Sequence, residues 1–109
     1  MMEIQSGKIG DYTELKIIGR LDSNTSLELE KELTGIIEQG ETNILINFEE
    51  LNYISSSGLR VFLVAAKMLD KENKKLNFCC MKDFIKEVFD ISGFTAIFAI
   101  YKTREEVIK

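Results

Sequence analysis

Ser55-Ser56-Ser57-Gly58 stands between a strand-like run and an apolar, helix-like run, three hydroxyls in a row where a helix should begin. A helix start exposes unpaired N–H groups and about half a positive charge, so a single serine there is explained by capping, at ~1 kcal/mol. Capping accounts for one hydroxyl of the three. A serine nucleophile needs a base, and the chain has no histidine to act as one. A phosphate-binding loop of the G-x-x-x-x-G-K-[ST] kind needs more than the single Gly58 and a lysine that is missing from the run. A phosphate acceptor asks for less: an exposed hydroxyl, a backbone that can enter a kinase, and donors near the product. The helix N-terminus supplies the donors. Tight turn and acceptor both stay open on these residues alone.

Other candidates are weaker. Asp22 closes a predicted strand just before a helix, so a parallel topology sets it near the serines at the same end of the sheet, although a helix cap is the simpler explanation. Glu49 and Glu50 form an acidic pair beside a strand end, too few carboxylates for a divalent ion or a phospho-accepting aspartate. Cys79 and Cys80 are neighbours on a predicted strand, which directs their side chains to opposite faces and reads as one buried and one half-exposed thiol. The absence of histidine removes Ser-His and Cys-His catalysis, and zinc cannot be held by two adjacent cysteines.

The elements that must position these residues follow from periodicity. Residues 2–6 and 12–21 read as a hairpin across "SGKIGD". Asp22, Ser23, Asn24 and Thr25 offer N-caps, Thr25 and Glu28 fit a capping box, and Leu29, Leu33, Ile36 and Ile37 share one helical face ending at Gly40. "TNILINFEEL" predicts one strand covered on both faces. A helix from about Ser57 to Asp70 follows, apolar on two sides: Leu59, Phe62, Leu63, Ala66 and Leu69 make one stripe, and Val61, Val64 and Met68 another. The second stripe requires either a neighbouring helix or a protein partner. "KKLNFCCM" predicts a strand, Phe84 to Gly93 a helix, "AIFAIY" a last strand, and "TREEVIK" a short helix or tail. Strands alternating with helices of this length define an α/β fold with a mixed sheet.

At 109 residues one domain is expected, burying about 65% of the unfolded chain's surface. The net charge of −4, without a basic stripe, argues against nucleic acid. No run approaches the ~20 apolar residues of a membrane span and no secretory signal is visible, so the cytoplasm is the expected compartment.

Three segments, "GRLDSNT", "ILINFEELNYISSSGL" and "IKEVFDISGF" followed by a last strand, occur in an order and spacing that resembles the STAS domain family, specifically the small stand-alone anti-sigma factor antagonists of bacteria. The resemblance covers nearly the whole chain and implies a single domain over residues 1–109, with a mixed four- to five-stranded sheet and about four helices. It implies no catalysis and no cofactor. The implied partners are an anti-sigma factor that is also a serine kinase, bound by the unmodified antagonist so that a sigma factor is freed, and a serine phosphatase that resets the switch. The family motif Asp-Ser-Ser-Gly-Leu-Gly, laid on Ser55 to Arg60, places the phosphate acceptor at Ser56, with Ser57 as second choice and as the helix cap. Ser55 replaces the motif's Asp and Arg60 its second Gly. The implied docking surface is Asp22, Ser23, Asn24 and Thr25 together with Ile54, Ser55, Ser57, Gly58, Leu59 and Arg60. Other members of the family are non-phosphorylated scaffolds or subunits of larger assemblies, and a small-ligand or nucleotide-binding module would use the same helix start.

Overall fold

A computed structural model describes residues 2–108. Strand β1 (Met2–Ile9) turns at Gly10 and Asp11 into β2 (Tyr12–Leu21), helix α1 spans Ser26–Glu38, and β3 (Ile44–Asn47) and β4 (Leu51–Ile54) lead into α2 (Ser56–Asp70). Then follow β5 (Asn77–Cys79), α3 (Asp83–Ile91), a single 3-10 turn at Phe94–Ala96, β6 (Ala99–Tyr101) and α4 (Glu105–Ile108). The sheet runs β1-β2-β3-β5-β6, with β4 also on β2; β1 is antiparallel to β2 and every other pair is parallel. The α/β class, the mixed sheet and the four helices agree with the sequence reading.

The sheet has six strands because "TNILINFEEL" does not form one. The chain turns at Glu49-Glu50, whose carboxylates lie 3.8 and 3.1 Å from Lys16 Nζ, and resumes as β4 farther along the same edge of β2. Gly19 makes this possible. At φ 97° it adopts a backbone that other residues rarely reach, and its amide donates to the Glu50 carbonyl at 2.9 Å. Past it the register slips, from Gly19 opposite Leu51 to Arg20 opposite Tyr53, leaving Asn52 as the extra residue of a bulge.

Alternation along the strands divides the sheet into two faces. Leu15, Ile17, Ile44, Ile46 and Phe78 face α1, α2 and α3, and five phenylalanines, 48, 62, 78, 89 and 98, meet there mostly edge to face, with ring centroids 4.9–6.1 Å apart. Leu45, Cys79 and Val107 form a smaller cluster on the other face, under α4. This explains why the β3 run is apolar on both sides. The second apolar stripe of α2 finds a helix: α1 lies alongside, Val61 is buried, and Met68 packs on the same core.

Two sequence expectations are corrected here. "AIFAIY" contributes only Ala99–Tyr101 to the sheet, because a turn of 3-10 helix takes up Phe94–Ala96. Cys79 and Cys80 do not point to opposite faces. The strand ends at Cys79, Cys80 turns to φ 66°, and the two sulfurs lie 3.3 Å apart, both free, Cys79 buried and Cys80 half-buried.

Candidate functional site

Two turns meet at the C-terminal ends of β2 and β4. Leu21 stands beside Ile54 in register, and the Ser55 amide donates to the Leu21 carbonyl at 2.9 Å, so the Asp22–Thr25 turn and the serine run leave the sheet side by side. The expected neighbourhood of Asp22 and the serines therefore exists.

The serines differ in their surroundings. Ser55, at φ −97° and ψ 172°, is still extended, and its hydroxyl accepts from the Gly58 amide at 3.2 Å. It is the N-cap. The expectation that Ser57 caps the helix is corrected, because the helix begins one residue earlier and Ser57 already lies within its first turn. Ser56 is the first helical residue and is exposed, Ser57 is half-buried, and among the described residues neither hydroxyl has a hydrogen-bond partner.

Gly58 is buried against the strand ends. A Cβ there would lie 2.7 Å from Leu21 Cγ, 2.9 Å from Leu21 Cδ2 and 3.1 Å from Ile54 Cγ1. Only hydrogen fits, which lets the helix start press on the two strands that carry the site. Leu59 and Ile54 are buried in the core and anchor the turn from below. Arg60 is exposed, one helical turn beyond Ser56 on the same face.

The other turn is organised by a carboxylate rather than by the expected capping box. Asp22 Oδ1 accepts from the amides of Asn24 at 3.0 Å and Thr25 at 3.1 Å. The Thr25 hydroxyl donates to the Arg20 carbonyl at 3.0 Å and accepts from the Asp22 amide at 2.9 Å, so it is engaged behind the helix instead of reaching forward over its first turn. Partial desolvation raises the Asp22 pKa, but the amides of Asn24 and Thr25 and the Thr25 hydroxyl outweigh it and hold the carboxyl below its usual value. Ser23 and Asn24 are exposed at the tip.

Sequence reasoning missed three exposed side chains beside these turns. Arg20 lays its guanidinium carbon 4.2 Å from the centroid of the Tyr53 ring, directly across the strand pair, while its Nε lies 3.9 Å from Asp22 Oδ2. Leu27, in the first turn of α1, is 60% exposed. The available signal was Tyr53 itself, a large aromatic between the buried Leu51 and Ile54. A cleft of about 360 Å³ lined by Leu63, Lys67, Leu76 and Ile97 lies toward the far end of α2, away from the serines. Among the described residues no group of three or more His, Cys, Asp or Glu is placed to hold a metal ion, and no helix is long and apolar enough to cross a membrane.

This fold, with a serine turn seated on paired strand ends, is that of a known class. The model of the STAS domain matches residues 3–107, and the chain belongs to the STAS domain family. It is 36% identical over 104 residues to BtrV of Bordetella bronchiseptica, a protein provisionally named as an anti-sigma factor antagonist, covering 95% of this chain and 90% of that one. It is 33% identical over 92 residues to the anti-sigma-B factor antagonist of Staphylococcus aureus, covering 84% of this chain and 85% of the relative. Among solved structures, the Bacillus cell fate determinant SpoIIAA in its phosphorylated form superposes with a TM-score of 0.76 at 24% identity, covering 97% of this chain and 96% of that one.

Proposed function

We propose that the chain is an anti-sigma factor antagonist whose unmodified form binds an anti-sigma factor with serine kinase activity, and that phosphate on Ser56 ends that binding. One observation carries the choice of residue: of the three serines, Ser56 alone combines exposure with a hydroxyl free of hydrogen bonds, since Ser55 is spent as the cap and Ser57 is half-buried. The names of the relatives support the partner class. The docking surface in this reading comprises Ser56 and Arg60, the Asp22–Thr25 turn, and the exposed Tyr53 and Leu27.

The switch is electrostatic. Phosphorylation adds nearly two negative charges at the rim of the surface. Against a partner carboxylate, each like-charge contact costs on the order of 1–4 kcal/mol, roughly tenfold to a thousandfold in affinity. Within the domain the change is mild, because the helix N-terminus returns only ~0.3–1 kcal/mol and Arg60, four residues on, offers the phosphate a cation. Ser55 in place of an acidic residue leaves that corner without a competing charge. The interface therefore changes while the fold persists.

The test is to incubate the protein with its anti-sigma kinase and ATP and to locate the phosphate by mass spectrometry. Modification at Ser56, with binding lost in Ser56→Asp at an unchanged melting temperature, is the expected result. Phosphate at Ser57, or none with a demonstrably active kinase, overturns it.

A further inference from the structure

The juxtaposed thiols of Cys79 and Cys80 have no part in the switch just described. Successive residues of a strand send their side chains to opposite faces, yet here Cys80 Sγ donates to Cys79 Sγ at 3.3 Å. The cause is local: Cys80 is one of two non-glycine residues in the described chain with positive φ, at 66°, and this swings its sulfur back onto the face where Cys79 packs with Leu45 and Val107. Residues at positive φ other than Gly, Asn and Asp mark strain that the surroundings must maintain.

We propose that Cys79 and Cys80 are a redox modification site, closing to a reversible vicinal disulfide when the half-buried Cys80 meets a hydroperoxide. The Cys80 thiolate attacks the outer peroxide oxygen, the O–O bond breaks, and an alcohol or water leaves with the proton the thiol has given up, leaving a sulfenic acid. Cys79 then attacks that sulfur, its own proton joining the departing hydroxide as a second water. Two thiols have lost two protons and two electrons, and the peroxide has gained both. The order follows from accessibility: burial, and then its contact with Cys80, push the Cys79 thiol up, so Cys80 reacts first and Cys79 gives up its proton only as it attacks. Only a short approach remains, from 3.3 Å to the ~2.05 Å of an S–S bond. A ring between sequence neighbours, whose Cα atoms are ~3.8 Å apart, falls below the usual disulfide span and is readily reopened by thiols.

The closure has a structural outlet. Two residues beyond Cys80, Lys82 Nζ donates to Asn52 Oδ1 at 2.6 Å, and Asn52 is the bulge residue of β4, the strand that ends at the serine turn. Rotating the Cys79–Cys80 peptide displaces Lys82 and with it the bulge. The chemistry stands independently of the partner-switch reading, since it is read on the thiols alone.

The experiment treats the reduced full chain with a small excess of hydrogen peroxide, blocks remaining thiols with iodoacetamide under denaturing conditions, and measures intact and peptide masses. Expected is a monomer lighter by two hydrogens, with Cys79 and Cys80 unalkylated in one peptide, both alkylated again after dithiothreitol, and the Asn52 and Tyr53 amide resonances shifted on oxidation. A disulfide-linked dimer, or sulfinic acid on Cys80 with Cys79 still alkylated, overturns the proposal. Unmoved Asn52 and Tyr53 resonances overturn the coupling to β4. Cys80→Gly, which suits the positive φ, and Cys80→Ser must both leave Cys79 a free thiol after the same treatment; a protected Cys79 in either is contrary evidence.

Discussion

The Ser55 amide and the Leu21 carbonyl are joined by a hydrogen bond of 2.9 Å, and through it the two turns of the site share one foundation. Thirty-odd residues separate them in sequence, but β2 and β4 end at the same level. Anything that spreads these strand ends alters both turns together.

Gly58→Ala is the sharpest test of that foundation. The added methyl would meet Leu21 at 2.7 Å and Ile54 at 3.1 Å, both buried side chains of the core rather than flexible tips. Overpacking of this kind costs about 1–3 kcal/mol. Urea denaturation should show that loss, and binding of the anti-sigma factor should weaken in the same variant although no exposed atom has been removed. An unchanged midpoint would show that the helix start is not seated as described.

Ser55→Ala and Ser56→Ala should separate cap from acceptor. Losing the Ser55 hydroxyl leaves the Gly58 amide without its acceptor and should cost ~1 kcal/mol, whereas Ser56→Ala, at an exposed site without partners, should fall within about 0.5 kcal/mol of wild type. Phosphorylation should show the opposite pattern, abolished by Ser56→Ala and retained in Ser55→Ala. A Ser56→Ala variant as destabilised as Ser55→Ala contradicts the assignment.

Asp22 makes a pH-dependent prediction. Its carboxyl is held below the usual value in the folded chain, so folded protein binds fewer protons there than unfolded chain does. The stabilisation is complete above about pH 5, a unit over the ~3.9 of an unfolded aspartate, and is lost as pH falls through the lower folded value. Asp22→Asn should therefore flatten the fall of stability as the pH drops below about 5, while lowering stability at neutral pH. Denaturation midpoints across that range, compared between the two proteins, measure it; parallel curves would mean the carboxylate does not hold the turn.

Much of this was legible because the core obeys strict periods. Leu29, Leu33 and Ile37 mark one helix face, and Ile44 to Ile46 mark a strand with no wet side, so class and order of elements follow from spacing alone. What stayed hidden depends on distant residues or on backbone angle. The break between β3 and β4 is set by Gly19 on another strand, where a positive φ lets the register slip. Choosing among three identical serines required knowing which is still extended, and ψ 172° at Ser55 decides it. The expectation that the two cysteines face opposite sides failed for the same reason, since two-residue alternation ends where the strand does, whereas one buried and one half-buried free thiol is what the sequence implied. Arg20 stacked on Tyr53 is a cross-strand pair, invisible along either strand by itself.

Helix α2, which begins at Ser56, packs on the sheet with α1 alongside it, and its Leu59, Phe62, Ala65 and Leu69 are buried in the core. A lever so clamped has no stroke. A mark written at its tip is read by contact at the turns and needs no shift of α2 to be read. Natural variation can then rewrite the recognition code in the turns, residue by residue, while the scaffold beneath is left alone.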